Sequence, residues 1–202
     1  ADLFKKNRDD YESKWDDIGT FIKYGIISDD KFEEKAISFA LLKSTDKKYL
    51  TIEEYKEKVK DTQTDKNGKI IGLYTQDPLQ QHSLVRQCND RAYTVLIMDN
   101  VIDNHFIQHL EYKADLSFKR VDSETIDHLI EKDIKNESVL TEAEENKIKE
   151  IFTSLSFNKA TATQTKALSP EDDPVHIVRP EFMRRMSEMQ HMMTAMKGET
   201  GD

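Results

Sequence analysis

Cysteine, glycine and long apolar runs are scarce in this chain, and each scarcity excludes a class of protein. The single cysteine, Cys88, cannot form an internal disulfide and favours a reducing compartment, so we expect a cytoplasmic location. The six glycines are isolated, so neither a G-x-G-x-x-G turn nor a phosphate-binding loop ending in Lys-Ser/Thr is present. No apolar run approaches the roughly 20 residues that span a bilayer, and no signal peptide opens the chain. The sequence therefore predicts no cofactor site and no membrane partner.

Positive charge is also in short supply. The chain has 30 lysines and arginines against 39 acidic residues, which gives a net charge of −9. A nucleic-acid binder needs a basic face, and in this sequence no lysine- and arginine-rich segment is free of acidic residues. We therefore expect no nucleic-acid partner. The chain starts without methionine and ends in a polar stretch, so we expect a piece of a longer protein.

The first part of the chain is predicted to be helical. Apolar spacing predicts a helix over residues 3–24, with Gly25 as its stop, and a second helix from Phe32 to near Lys43. Thr51 and Glu54 have the spacing of a capping box, which predicts a third helix to residue 59. Residues 1–65 are thus interpreted as a helical segment.

Strands and helices then alternate. Strands are predicted at 69–74, 92–98 and 114–119, with helices at about 78–87 and 101–110 between them. Such alternation is typical of a parallel sheet covered by helices. The predicted fold class is α/β, with a small three-layer α/β/α subdomain over residues 66–122.

The remainder is predicted to be a connecting helix and linker at 123–137, followed by a truncated α+β C-terminal domain at 138–202. A second capping box, Thr141 with Glu144, predicts a helix to residue 155. Short strands are predicted at 159–168 and 175–178. Pro180 then precedes a final helix at 181–197.

Few residues in the sequence are candidates for catalysis or metal binding. His105 and His109 lie one helical turn apart and could face one metal ion, or act with Asp103 in a hydrolase. They lack a third ligand and the Glu of an H-E-x-x-H motif, so surface histidines are the preferred interpretation. Cys88 ends an amphipathic helix and is interpreted as a small hydrophobe, not a reactive thiol. We predict no catalytic and no metal-binding residue.

The last helix is unusually rich in methionine. Its apolar residues are Phe182, Met183, Met186, Met189, Met192, Met193 and Met196, and several follow alternating spacings of four and three. One interpretation is an ordinary core or a helix–helix dimer seam. The other is an adaptable binding face, because methionine is flexible and polarizable.

Several segments, in order, resemble the ninety-kilodalton heat-shock chaperones, whose bacterial members are called HtpG. The matching stretches are YESKW…G…IKYG at 11–25, LKST at 42–45, LTIEEY at 50–55, KIIGLYT at 69–75 and VLIMD…ID at 95–103. Residues 138–197 are similar to the start of the family's C-terminal domain. The resemblance implies a stress-response, protein-folding chaperone that is a homodimer and binds ATP with Mg²⁺. It also implies that the nucleotide domain and a catalytic-loop arginine lie upstream, so we expect no enzyme activity from this chain.

The family association also suggests a client surface for unfolded or partly folded proteins. Taken with the methionine stripe, it implies these client-binding residues: Phe182, Met183, Met186, Met189, Met193 and, in the small subdomain, Phe106. In the alternative interpretation the chain is a purely structural or oligomerising module, and the stripe closes a dimer seam.

Overall fold

The computed structural model describes residues 1–132, 138–156, 162–168 and 173–198, and for residues 192 and 195–198 it describes the backbone alone. In chain order the helices are α1 (Asp2–Lys6), α2 (Arg8–Ser13), α3 (Trp15–Ser28), α4 (Asp30–Ala36), α5 (Ile52–Val59), α6 (His82–Asp90), α7 (Asp103–Lys113), α8 (Ile126–Leu129), α9 (Glu142–Leu155) and α10 (Glu181–Gly198). The strands are β1 (Leu41–Lys43), β2 (Tyr49–Thr51), β3 (Ile70–Thr75), β4 (Val95–Ile97) and β5 (Leu116–Arg120).

A parallel sheet with the strand order β4-β3-β5 forms the centre of the fold. Leu73 of β3 lies opposite Val95 of β4, and Ile70 lies opposite Leu116 of β5. The helices α6 and α7 make the connections that parallel strands require. The structure therefore confirms the predicted α/β class and its three strands.

The two faces of this sheet bury different side chains, because neighbouring residues of a strand point to opposite sides. Leu73 packs in one apolar cluster with Val85 of α6 and Leu129 of α8. Tyr74 belongs to the other cluster, to which α7 contributes Leu110. Helices thus cover both faces, which gives the predicted three layers.

The first predicted helix, at 3–24, is interrupted twice. The backbone leaves helical geometry at Asn7, whose side chain caps α2 by accepting a hydrogen bond from the Asp10 amide at 3.1 Å. A second break at Lys14 separates α2 from α3. Gly25 does not end α3 as predicted. It instead leaves room for a neighbouring ring, since a Cβ there would lie 2.6 Å from Cε1 of Phe32.

The second predicted helix is shorter than expected. It ends at Ala36, and one turn of 3₁₀ helix leads into β1, which pairs antiparallel with β2. The prediction of a helix up to Lys43 was wrong because Leu41 and Leu42 are both buried. A strand buried on both faces lacks alternation and cannot be told from a buried helix by its pattern.

The two predicted capping boxes are confirmed. At α5, Thr51 Oγ1 accepts from the Glu54 amide at 3.2 Å, and Glu54 Oε2 accepts from the Thr51 amide at 2.8 Å. The same reciprocal pair, Thr141 with Glu144, opens α9. Glu54 also forms an ion pair with Arg8, in which Nη2 of Arg8 donates to Oε2 of Glu54 at 2.6 Å. This ion pair, with the Thr51 amide, lowers the pKa of Glu54 to about 2 despite its partial burial.

The chain forms two compact units, Ala1–Lys132 with Ile177–Asp202, and Asp133–His176. In the second unit the hydroxyls of Thr153 and Thr163 lie 3.0 Å apart. This division differs from the predicted one, in which residues 138–202 formed a single partial domain. The structure groups α10 with the parallel sheet because charged side chains hold it there.

Two predicted strands near the C-terminus are not strands in the structure. Residues 162–168 and 175–178 are irregular, and residues 159–161 lie outside the described part of the chain.

Candidate functional site

The first residue of α10, Glu181, binds the sheet at the ends of two strands. Its Oε1 accepts a hydrogen bond from the Tyr74 hydroxyl of β3 at 2.7 Å. Its Oε2 accepts from the backbone N–H of Arg120, the last residue of β5, at 3.0 Å. These two donors are neighbours because parallel strands end at the same edge of a sheet. A carboxylate at a helix N-terminus is also favoured by the helix dipole.

One turn further along, Arg184 is buried, with 6% of its surface exposed. Its guanidinium donates to Tyr74 Oη, to Glu181 Oε1 at 2.5 Å and to Glu188 Oε1 at 2.6 Å. The same group lies 5.7 Å from the centre of the Tyr74 ring. A buried charge needs such partners, because an unpaired one is strongly destabilising.

Arg185 attaches α10 to α7. Its Nη1 lies 2.7 Å from Oε2 of Glu111, and its Nε lies 2.8 Å from Oε1 of Glu181. Glu188 adds a second link to α7, because its Oε2 accepts from Asn104 Nδ2 at 3.1 Å. We refer to Glu181, Arg184, Arg185 and Glu188 as the docking face of α10.

The protonation states of the docking face follow from its charges. Burial alone would raise the pKa of Glu181, but the Arg120 amide and the charge of Arg184 outweigh it and lower that pKa. Burial and the Glu181 charge raise the pKa of Tyr74. The carboxylate is therefore ionised at neutral pH, and the tyrosine keeps the proton that it donates.

The apolar side of α10 points away from the sheet. We refer to its exposed residues as the outer face, and these are Phe182, Met183, Met186, Met189 and Met193. Phe182 is 70% exposed and Met189 is 58% exposed. An ordinary surface helix buries its apolar stripe and exposes its charges. In α10 the charged side is attached to the protein and the apolar side is left open.

Phe106, the sixth predicted client-binding residue, does not belong to this surface. It is fully buried in α7 and packs in the same apolar cluster as Leu110. Lys23 Nζ lies 5.6 Å from the centre of its ring. Phe106 is thus a core residue, and the structure corrects its assignment to a client surface.

The contacts of His109 and Asp103 do not include the His–Asp pair that a hydrolase would need here. His109 Nε2 lies 2.6 Å from Glu33 Oε1, whereas Asp103 pairs with Lys23 Nζ at 2.5 Å. His105 is exposed. Among the described residues, no group of three or more His, Cys, Asp or Glu side chains could hold a metal ion.

Cys88, a residue of α6, is fully buried in the apolar cluster that also contains Leu73 and Val85. Burial raises the pKa of its thiol to about 12. The side chain is therefore a protonated apolar group at neutral pH, as its sequence context indicated.

A cavity of about 270 Å³ lies between α3 and the start of α7. Asp16, Asp99 and Asp103 line it together with Lys23 and Lys43. Two of these carboxylates are already paired, Asp16 with Lys43 and Asp103 with Lys23. That ATP and Mg²⁺ bind outside this chain stays a prediction.

None of the helices in the described ranges has the length and apolar character needed to cross a membrane.

Comparison with known proteins identifies the family. The family model described as Hsp90 protein matches residues 2–201. The chain belongs to the Hsp90 family. This confirms the resemblance carried by the motifs at 11–25 and 95–103.

Two HtpG chaperones are similar to this Hsp90 family chain over nearly its whole length. The chaperone protein HtpG of Bacteroides thetaiotaomicron is 39% identical over 210 residues, which cover 99% of this chain and 30% of that protein. The HtpG of Porphyromonas gingivalis is 34% identical over 207 residues, which cover 100% of this chain and 30% of that protein. The chain thus spans about 30% of the length of these curated relatives. A solved middle domain of a putative heat shock protein from Plasmodium falciparum is 19% identical, with a TM-score of 0.40, and covers 52% of this chain and 45% of that one.

The docking face is the part of this site that the sequence analysis missed. Glu181, Arg184, Arg185 and Glu188 follow i, i+3, i+4 and i+7 spacing, which marks one side of a helix. That spacing is also typical of ion pairs within an exposed helix, and such pairs are present here. It therefore carries no sign of the partners Tyr74 and Glu111.

Proposed function

We propose that this Hsp90 family chain is a segment of an ATP-dependent molecular chaperone and that it binds non-native client polypeptides through the outer face of α10. The orientation of α10, with charges attached to the sheet and methionines open to solvent, is the observation that carries this proposal. Non-native chains expose apolar side chains of varied shape, and flexible methionines can adapt to them.

The docking face explains how the outer face can remain open. A helix that rested on its apolar side would bury the methionines, whereas α10 is held by Glu181, Arg184 and Arg185. The cost of exposing apolar surface is then offset by charged hydrogen bonds, which are stronger than neutral ones. Clients would be bound by the surface that this attachment leaves free.

The same attachment supports a role in coupling. Because α10 is bound both to the ends of β3 and β5 and to α7, a movement of the parallel sheet would carry the outer face with it. We propose that the segment transmits conformational change between a nucleotide-binding domain and a dimerisation domain. We further propose that the whole protein is a cytoplasmic homodimer in which ATP and Mg²⁺ bind outside this chain, so this chain alone should not hydrolyse ATP.

A binding titration tests the client role. The probe is fluorescently labelled, reduced and carboxymethylated α-lactalbumin, a permanently unfolded polypeptide, and its anisotropy is followed as the chain is added. Replacing Phe182→Ser together with Met186→Ser should weaken binding about tenfold or more, since burial of one large apolar side chain contributes roughly 1.5–3 kcal/mol. Leu79→Ser is the matched control, because Leu79 is 88% exposed and lies far from α10 in sequence. Equal affinities for the double variant and the native chain would refute the role of the outer face.

A helix–helix seam is the second candidate function. Phe182, Met186, Met189 and Met193 have the 4-3-4 spacing that a helical seam needs, and all are exposed. Sedimentation velocity at several concentrations separates the two functions. A dimer that the same two serine substitutions dissociate, without binding of the unfolded probe, would favour the seam.

A further inference from the structure

We propose that Met183, Met186, Met189 and Met193 form a reversible oxidation site, at which hydroperoxides convert thioethers to sulfoxides and make the outer face polar. The oxidation itself follows from exposure and chemistry alone. Its effect on clients rests on the function proposed above.

The methionines of this chain are distributed unevenly. Of the seven, Met98 alone lies outside residues 183–196. Met98 is 1% exposed and is packed against the sheet, whereas the four methionines of the outer face are each at least 39% exposed. A dissolved oxidant therefore reaches these four sulfurs and not that of Met98, which serves as a buried internal reference.

The only cysteine in the sequence does not compete for the oxidant. Cys88 is fully buried, and its thiol stays protonated at neutral pH. The thiolate is the form of cysteine that reacts with peroxides. Two-electron oxidation is thereby directed to the methionines.

The chemical step is balanced with one hydroperoxide per methionine. A lone pair of the thioether sulfur attacks one peroxide oxygen, the O–O bond breaks and an S–O bond forms. With hydrogen peroxide the oxygen bonded to sulfur gives its proton to the leaving hydroxide, which departs as water, so the sulfur loses two electrons and the peroxide gains them. Methionine sulfoxide reductases, which use thiols as reductants, reverse the step.

Oxidation should leave α10 attached. The docking face consists of Glu181, Arg184, Arg185 and Glu188, whose partners Tyr74 and Glu111 lie on β3 and α7. No thioether takes part in these contacts. Each sulfoxide adds a polar oxygen on the opposite side, so affinity for apolar segments falls while the fold is kept.

Mass spectrometry tests the site directly. The 202-residue chain is treated with hydrogen peroxide, and digested samples are taken over time. Met183, Met186, Met189 and Met193 should each gain one oxygen well before Met98, and incubation with sulfoxide reductases and dithiothreitol should remove it. Oxidation of Met98 or Cys88 as fast as these four, or sulfoxides that the reductases leave in place, would overturn the proposal.

Binding of the unfolded α-lactalbumin probe tests the consequence. Peroxide should weaken binding about tenfold in the native chain and leave it unchanged in a variant with Met183→Leu, Met186→Leu, Met189→Leu and Met193→Leu. Leucine keeps the face apolar and cannot form a sulfoxide. An equal loss in the leucine variant would show that these sulfurs do not carry the effect. A native chain that fails to bind before oxidation refutes the proposed function, while the order of oxidation still decides whether the site exists.

Discussion

The hydroxyl of Tyr74 donates a hydrogen bond to Glu181 at 2.7 Å, and this contact joins the end of a central strand to the first residue of the methionine-rich helix. The two residues are 107 positions apart in sequence. Because Glu181 also accepts from the backbone of Arg120, one carboxylate fixes α10 to two neighbouring strands. The outer face therefore takes its orientation from the sheet.

Tyr74→Phe tests this contact with little change in shape. The substitution removes a donor to Glu181 and an acceptor from the buried Arg184, which should destabilise the docked helix by about 1–3 kcal/mol. Hydrogen exchange of the α10 amides should accelerate, with smaller changes in the strands. Tyr112→Phe is the control, since Tyr112 is 85% exposed. If both variants exchange like the native chain, the hydroxyl does not hold α10.

Removing the buried cation should have a larger effect. Arg184→Ala leaves Glu181 and Glu188 without their shared guanidinium, and loss of one partner of a buried ion pair costs roughly 3–5 kcal/mol. We expect limited proteolysis to cut the variant within α10 much faster than the native chain. Arg179→Ala changes an exposed arginine just before the helix and should leave cleavage unchanged. Similar cleavage of the two variants would contradict the anchoring role of Arg184.

A double-mutant cycle measures the contact between α10 and α7. Arg185→Ala and Glu111→Ala are made singly and together, and urea unfolding gives the free energy of each variant. Because Nη1 and Oε2 lie 2.7 Å apart and both side chains are partly buried, we expect a coupling free energy of about 0.5–3 kcal/mol. Additive effects would mean that the pair does not contribute to docking.

The Arg8–Glu54 pair predicts how stability depends on pH. The pKa of Glu54 is about 2 in the folded protein against an ordinary value of 4.5, so the unfolded chain binds the proton first as the pH falls. The stabilisation from Glu54 is complete above the ordinary pKa and is lost as the pH falls from about 4.5 towards 2. Glu54→Gln should thus destabilise the protein at neutral pH, and its difference from the native chain should shrink in acid.

Urea unfolding across this pH range checks the prediction. Glu53→Gln serves as the control, because the Glu53 side chain is 81% exposed and should add little. A difference between Glu54→Gln and the native chain that stays constant from neutral pH to about pH 3 would contradict the assigned pKa.

Local features of the fold could be predicted from the sequence because their causes are local. The capping box of Thr51 and Glu54 spans four residues, and the strand at 95–97 is a short apolar run. The docking of α10 could not be predicted in this way. Its partners, Tyr74 and Glu111, lie 107 and 74 positions from Glu181 and Arg185, and nothing in the local pattern points to them.

The candidate site shows the same limit. Helical spacing grouped Phe182, Met186, Met189 and Met193 on one side of a helix, but spacing does not tell whether that side is buried or exposed. Phe106 illustrates the converse error. The family association implies a client surface at this residue, whereas the packing of α7 against the sheet places it in the core.

The most direct test of the outer face uses the methionine methyl groups as reporters. The chain is labelled with ¹³C at the methionine methyls, and spectra are recorded while unlabelled, unfolded α-lactalbumin is added. The resonances of Met183, Met186, Met189 and Met193 should shift or broaden, and that of the buried Met98 should stay in place. Binding of the polypeptide that leaves all four α10 resonances unchanged would contradict the account.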